Sequence, residues 1–405
     1  MQLKSTLRRQ LILSAALALA TGGVFAQKKY DTGASDTEIK IGNILPYSGP
    51  ASAYGTIGKA AAAYIAQVNA QGGVNGRKIT FISVDDAYSP PKTVEMARKL
   101  VEQDEVLAIF LPLGTTHNIA IQKYMTARKV PQLFVGSGAS RFGEIKENPW
   151  TIGWQPTNRA EAKAYAQYIL KTTPNAKIAV LMQHDDFCKD YANGFLDGLG
   201  DKAKAMLVSH QTYEVTDPTV DSQIVAMKSS GADTLLILAT PKFAAMAVKK
   251  SAEIGWKPHR FLVSSANSVG SVLKQAGLDV AKGIISAAYL NDPTDPAVQA
   301  TKEYQDYATT MKQYYGGGDV SDVLNVLGYT AAQTLVQTLK QAGDNLTREN
   351  VMKQALNLNV RLPMLQPGIM VQTSATNAYP IEQMQLIQFN GSRYENFGGQ
   401  FGGGK

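Results

Sequence analysis

From residue 38 onward, short β-rich runs alternate with longer helical patterns, and this alternation restricts the chain to an α/β fold on parallel-rich sheets. Residues 39–45 read as a strand, 56–69 as an Ala-rich helix, Gly72-Gly73-Val74-Asn75-Gly76 as a turn and 78–84 as the next strand. A helix over 93–103 and a strand at 106–111 repeat the unit, followed by a helix near 118–128 and a strand at 132–135. Strands separated by helices of this length pair in parallel through right-handed crossovers, with helices on both sheet faces.

The same grammar restarts after Trp154-Gln155-Pro156-Thr157-Asn158. Helices at 160–170, 190–199 and 220–229 alternate with strands at 177–182, 206–213 and 234–238, and further units run through 242–254, 260–263 and 283–287. Two sheets are therefore expected in succession, with no Ser/Pro-rich linker between them. Helices at 296–315 and 321–341 and a late strand at 384–389 must join them, and the Gly-rich end 398–405 is expected to be a flexible tail. The length, 405 residues with 44% hydrophobic, exceeds what one core usually organises and suits two lobes.

Residues 1–26 follow a different logic. Lys4, Arg8 and Arg9 precede a short apolar run at 11–20, and Val24-Phe25-Ala26 resembles the small-x-small pattern of a signal-peptidase site. The run is half the roughly 20 residues that cross a bilayer, so the expectation is export from the cytoplasm with a mature start at Gln27, not an anchor. No cysteine follows the cleavage region, which argues against lipid attachment there. Three cations of the +7 net charge belong to this segment, leaving a mild, scattered +4 that gives no reason to expect nucleic acid or a membrane surface as partner. Cys188 is the only cysteine, so no internal disulfide can form, and it reads as a buried small hydrophobe or a free thiol.

Ligands of open α/β sheets bind beyond the carboxyl ends of the strands, where loops offer backbone N–H groups and helix N-termini. The first-half loops there are Pro46-Tyr47-Ser48-Gly49-Pro50, Tyr54, Gly114-Thr115-Thr116-His117 and Gly136-Ser137-Gly138-Ala139-Ser140. Their small hydroxyl-bearing residues suit a carboxylate, or are ordinary caps and turns. In the second half the candidates are Trp154, Gln155, Asn158, Phe187 and Phe243, pocket or core aromatics and amides.

No catalytic constellation emerges. His117, His184, His210 and His259 lack metal-ligand spacing and read as surface or cap residues; His184-Asp185-Asp186 is a polar loop start or a single ligand at a strand end. Ser271 and Lys274 match S-x-x-K without its companion triplets, no G-x-S-x-G is present, and Asp85 and Asp86 are neighbours pointing to opposite sides of a strand end. Gly316-Gly317-Gly318 reads as a helix stop. No metal and no cofactor are expected.

The stretch Ile-Lys-Ile-Gly-Asn-Ile-Leu-Pro-Tyr-Ser-Gly-Pro-Ala-Ser-Ala-Tyr-Gly at 39–55 strongly resembles the branched-chain-amino-acid type of periplasmic binding proteins of ABC transporters. The likeness continues through 65–76, Asp85-Asp86, 91–101, 114–118, 179–182, Asp186-Phe187 and 190–199. It implies a type I fold of two Rossmann-like lobes joined by three crossovers, 38–157 plus 288–361 and 158–287 plus 362–397, closing on ligand by a hinge. It also implies ABC permease subunits in the inner membrane as partner.

Departures from the family pattern bear on the ligand. Where amino-acid-binding members carry an acid that neutralises the ligand ammonium, this chain reads Ser264-Ser265-Ala266-Asn267, and a second acidic position matches Asn158. A tyrosine after 177–182 is replaced by Phe187, another falls near Thr240, and the cysteine pair some members place near Tyr88 and Leu113 is absent. A buried ammonium without counter-charge costs several kcal/mol. The expected ligand is therefore a carboxylate without an ammonium, held by Gly136, Ser137, Gly138, Gly114 and Thr115 or Thr116, against Tyr54, Trp154, Phe187 and Phe243. Relatives sharing the Trp-x-x-Gly-Trp-Gln-Pro stretch of 150–156 resemble binders of benzoate or hydroxycinnamate derivatives. The expectation is a monomeric, non-enzymatic solute-binding protein. A branched-chain amino acid is the alternative ligand, a dicarboxylate or amide stays open, and a sensor docking on a separate receptor or a periplasmic hydrolase is the alternative class.

Overall fold

The computed structural model describes residues 28–402, so the expected signal segment lies outside the described residues. The first sheet contains β1 (Glu38–Leu45), β2 (Lys78–Asp85), β3 (Ala108–Phe110), β4 (Gln132–Val135) and β5 (Thr151–Gly153) in the order β2-β1-β3-β4-β5, all parallel. Its central strands β3 and β4 are buried along their whole length, because helices cover both faces. Helices α1 (Gly55–Ala70), α2 (Pro90–Glu102) and α3 (Thr115–Arg128) connect the strands. The strand order reverses between β1 and β3, and a crevice opens at the carboxyl ends of such a pair.

The second sheet repeats the device and then extends it. Strands β6 (Ile178–Gln183), β7 (Leu207–Tyr213), β8 (Thr234–Leu238), β9 (His259–Leu262) and β10 (Ile285–Ala288) are parallel, and β11 (Gln383–Phe389) and β12 (Tyr394–Gly402) add an antiparallel hairpin, in the order β12-β11-β10-β9-β8-β6-β7. Helices α4 (Asn158–Thr172), α5 (Asp186–Leu199), α6 (Asp221–Ser229) and α7 (Pro241–Glu253) belong to this half. After β10 the chain returns to the first half, where α8 (Lys302–Tyr314) and α9 (Val323–Ala342) pack on α1. The contact is close: a Cβ at Gly328 would collide with the Ile57 carbonyl, so only glycine lets α9 lie on α1.

Three sequence expectations need correction. Residues 398–402 are the end of β12, paired with β11, because an exposed edge strand offers its backbone donors and acceptors to the returning chain; 403–405 lie outside the described residues. The helix expected over 296–315 is interrupted: Thr301 restarts it by capping Tyr304 N at 3.2 Å, so a short turn, Pro296–Gln299, precedes α8. Helix α3 begins at Thr115, not near 118, with Gly114 at its N-cap in a left-handed conformation (φ 99°) that a side chain would strain.

Side-chain ties cross between the halves. Ser140, after β4, is grasped by Asp190 of α5, which accepts from its N–H (3.1 Å) and Oγ (3.3 Å), while its carbonyl accepts from Tyr379 Oη at 2.7 Å. Ser268, after β9, donates to Asp322, the N-cap of α9, at 2.8 Å.

Candidate ligand cleft

Between the sheets, where both sets of carboxyl-terminal loops converge, lies one cavity with contributions from both halves. The space open to the centre of a water-sized sphere is about 70 Å³, several times the roughly 10–15 Å³ one water needs by that measure. The strand-order reversal in the first sheet explains the first wall: Tyr54 follows β1, and Leu111, Leu113, Gly114 and Thr115 follow β3. Phe187 follows β6, Ser264, Ser265 and Asn267 follow β9, and Tyr289 and Leu290 follow β10. The first turn of α9 closes the cavity with Val323, Leu324 and Leu327.

The first-sheet wall is rich in donors. The leading amides of α3 have no intrahelical acceptor and carry the positive end of the helix dipole. Thr115 Oγ1 and Ser137 Oγ lie 2.7 Å apart, and Ser137 Oγ accepts from Ala139 N at 3.1 Å. Asn158, at the start of α4, docks there by donating its backbone N–H to the Gly138 carbonyl at 2.7 Å. Gly138 must be glycine, since a Cβ would meet Asn158 Oδ1 and the Pro156 carbonyl. Two buried polar groups of residues on the cavity have no hydrogen-bond partner: Asn158 Nδ2 and Ser265 Oγ. Buried polar groups are nearly always satisfied, so these two are available to a bound molecule.

The remainder of the lining is aromatic and aliphatic. Tyr88 enters from a loop with two successive left-handed residues, Ala87 (φ 52°) and Tyr88 (φ 59°). Asp85 and Asp86 hold that bend together: Asp85 Oδ1 accepts from Tyr47 N and Ala87 N at 2.9 and 2.8 Å, and Asp86 accepts from Tyr88 N and Thr93 Oγ1 at 2.9 and 2.7 Å. The Tyr88 ring rests on His117, 4.2 Å between centroids. His117 is buried, not a surface or cap residue, and burial lowers its pKa.

Among the described residues no Lys, Arg, His, Asp or Glu side chain lines the cavity. Glu161 of α4 lies directly behind the second-sheet wall. Its Oε1 accepts from Ser264 N and Tyr165 Oη, both at 2.7 Å, and its Oε2 from Ser264 Oγ at 2.6 Å and Tyr191 Oη at 3.1 Å. Tyr165 Oη also lies 3.1 Å from the Leu262 carbonyl. Burial pushes the Glu161 carboxyl above its ordinary pKa, against the pull of these donors. Asp185 caps α5 by accepting from Cys188 N at 3.1 Å, accepts from Gln183 Nε2 at 2.6 Å, and is likewise raised by burial.

The profile of the family described as "Periplasmic binding protein" matches residues 38–394. The chain belongs to that family. A Leu/Ile/Val-binding protein homolog 7 of Brucella suis biovar 1 (strain 1330) is 24% identical over 317 residues, covering 76% of this chain and 78% of the relative. Among solved structures, a branched chain amino acid ABC transporter protein from Thermus thermophilus with bound valine superposes with a TM-score of 0.80 at 16% identity, covering 91% of this chain and 97% of that one. A solute binding protein of an R. palustris ABC transporter in complex with benzoate does so with a TM-score of 0.74 at 22% identity, covering 89% and 96%. The two-sheet type I architecture is thus shared with periplasmic binding proteins.

Of the positions singled out in the sequence, this periplasmic binding protein brings Tyr54, Gly114, Thr115, Gly136, Ser137, Gly138, Gln155, Asn158, Phe187 and Ser265 to the cavity. Four lie elsewhere. Trp154 is wholly buried, donates its indole N–H to Thr334 Oγ1 at 2.9 Å and meets Tyr289 edge-on, so it supports the wall from behind. Thr116 follows Thr115 on α3 and turns about 100° away; its Oγ1 is buried without a partner and off the cavity. Thr240, the N-cap of α7, spends its Oγ1 on Gln183 Oε1 at 3.2 Å, and Phe243, in the first turn of α7, packs on Tyr213 with 4.3 Å between centroids. The sequence reading missed Tyr88, Tyr191 and Tyr289, and the α9 turn. The signal for Tyr88 was the Asp85-Asp86 pair, whose carboxylates cooperate in a bend; Tyr191 and Tyr289 sit among helical and strand residues that periodicity assigns to the core.

Proposed function

We propose that this protein is exported, captures a small aromatic carboxylate between its two lobes and delivers it to the permease of an ABC importer. The observation that carries this reading is a cavity with aromatic walls and no charged side chain, two of whose lining residues, Asn158 and Ser265, hold buried side-chain groups without partners. A carboxylate suits the donor-rich first-sheet wall: Thr115, Ser137 and the amides around Gly114, Gly136 and Gly138 supply hydrogen bonds, and the α3 dipole supplies the field. Tyr54, Tyr88, Phe187 and Tyr289 face a flat apolar body. Capture is a population shift: the ligand touches both walls only when the lobes meet, so it stabilises the closed form.

A branched-chain amino acid is the rival ligand, favoured by the nearness of Glu161. That carboxylate already receives four donors, which fills the positions an ionised carboxyl offers, and none is left to pair an ammonium. A binding role without catalysis, in the periplasm and as a monomer, completes the reading. Thermal shift of the purified protein tests it. A rise in Tm with benzoate-type acids and none with leucine, isoleucine or valine is expected; a rise with the amino acids alone overturns the ligand class.

A further inference from the structure

We infer that Glu161 makes the second-sheet wall an acceptor surface that selects a ligand hydroxyl, so the preferred molecule is a hydroxy-substituted aromatic acid. The inference rests on the aromatic-carboxylate reading and narrows it. Its basis is the direction of four hydrogen bonds. Glu161 draws in the proton of Ser264 Oγ at 2.6 Å and that of Tyr191 Oη at 3.1 Å, and both of these residues line the cavity. With their protons committed to the carboxylate behind them, the two hydroxyl oxygens keep only lone pairs for a bound molecule. Ser265 Oγ beside them is buried and unpartnered. Donors of the first-sheet wall and acceptors of the second thus face the same space, and a molecule filling it needs an anion for one and an O–H for the other.

This arrangement also works against two other classes. A second carboxylate would set lone pairs against lone pairs with a buried acid behind them. An ammonium would have neutral oxygens only, since Glu161 is saturated and no other acid lines the cavity among the described residues. Glu161 is therefore a positioning residue: it touches no ligand and acts through Ser264 and Tyr191.

The test compares calorimetric affinities for benzoate, 4-hydroxybenzoate, benzene-1,4-dicarboxylate and leucine in the parent protein and in Glu161→Gln, with Tyr191→Phe as a second variant should Glu161→Gln fold poorly. The parent should bind 4-hydroxybenzoate about tenfold tighter than benzoate, the size of one well-made hydrogen bond, and bind the dicarboxylate and leucine most weakly. In Glu161→Gln the side-chain amide turns donors toward Ser264 and Tyr191, freeing their protons, so the ratio of hydroxybenzoate to benzoate affinity should fall toward one; Tyr191→Phe should lower it in the same direction. A merely structural role would weaken both acids alike and leave that ratio unmoved, which would overturn the inference, as would a parent that binds the two acids equally or prefers the dicarboxylate or leucine. Equal binding of the ring acids leaves the proposed function standing; silence from every ring acid overturns both.

Discussion

Ser268 Oγ donates to Asp322 at 2.8 Å, tying the loop after β9 to the N-cap of α9 across the cleft. Asp322 also accepts from Leu324 N at 2.9 Å, and Leu324 lines the cavity, so the same carboxylate closes the cleft and starts the helix that walls it. Burial raises its pKa, as it does that of Asp190 in the tie to Ser140. A buried acid whose folded-state value lies above its unfolded value of about 4 contributes stability that is full below that value and is lost as pH rises through the folded-state value. Denaturant unfolding across the mildly acidic range should show that loss, and Asp322→Asn, which preserves the cap and cannot ionise, should reduce it.

Asn158 and Ser265 offer a cleaner separation of binding from stability. Their unpartnered atoms make no hydrogen bond within the protein, so Ser265→Ala and Asn158→Ala should leave the ligand-free Tm unchanged or slightly raised. Each should weaken ligand affinity by about 1 kcal/mol, roughly fivefold. Paired Tm and Kd measurements check this, and a Tm drop without loss of affinity would remove both residues from the binding surface.

Trp154→Ala should behave in the opposite way. The indole is fully buried and bonded to Thr334, and deleting such a side chain costs about 3–5 kcal/mol. Denaturant unfolding should show that loss in the ligand-free protein; a fall in affinity at unchanged stability would return Trp154 to the ligand.

Cys188 donates its thiol to the Leu238 carbonyl at 3.0 Å and burial raises its pKa well above the usual value. The reactive thiolate is suppressed on both counts. Labelling with a thiol reagent at neutral pH should be negligible in the native protein and rapid once denaturant unfolds it.

The alternation of strand and helix patterns was legible because each run is long enough to carry its period, and loops at strand ends follow from that order. Hence Thr115, Ser137 and Phe187 were found from position alone. Trp154 and Phe243 were misplaced because an aromatic at a strand end or in a first helical turn looks the same whether it faces a cavity or the core. Tyr88 escaped for another reason: its side chain reaches the cavity only through two successive left-handed residues, and the Asp85-Asp86 pair that holds this bend reads in sequence as two carboxylates on opposite sides of a strand end. Glu161 escaped because a lone acid on a helix reads as solvent-facing until the hydroxyl of Tyr165, one turn along the same helix, and those of Tyr191 and Ser264, from two other segments, converge on it.

Ser140 is grasped at both of its backbone polar groups, its N–H by Asp190 of α5 and its carbonyl by Tyr379 of the segment that leads into β11. If the lobes part by a hinge, as the proposed capture requires, both bonds are expected to break. The chemical shift and hydrogen exchange of this single amide therefore report the opening of the whole cleft, with no label on the ligand and no knowledge of what the ligand is.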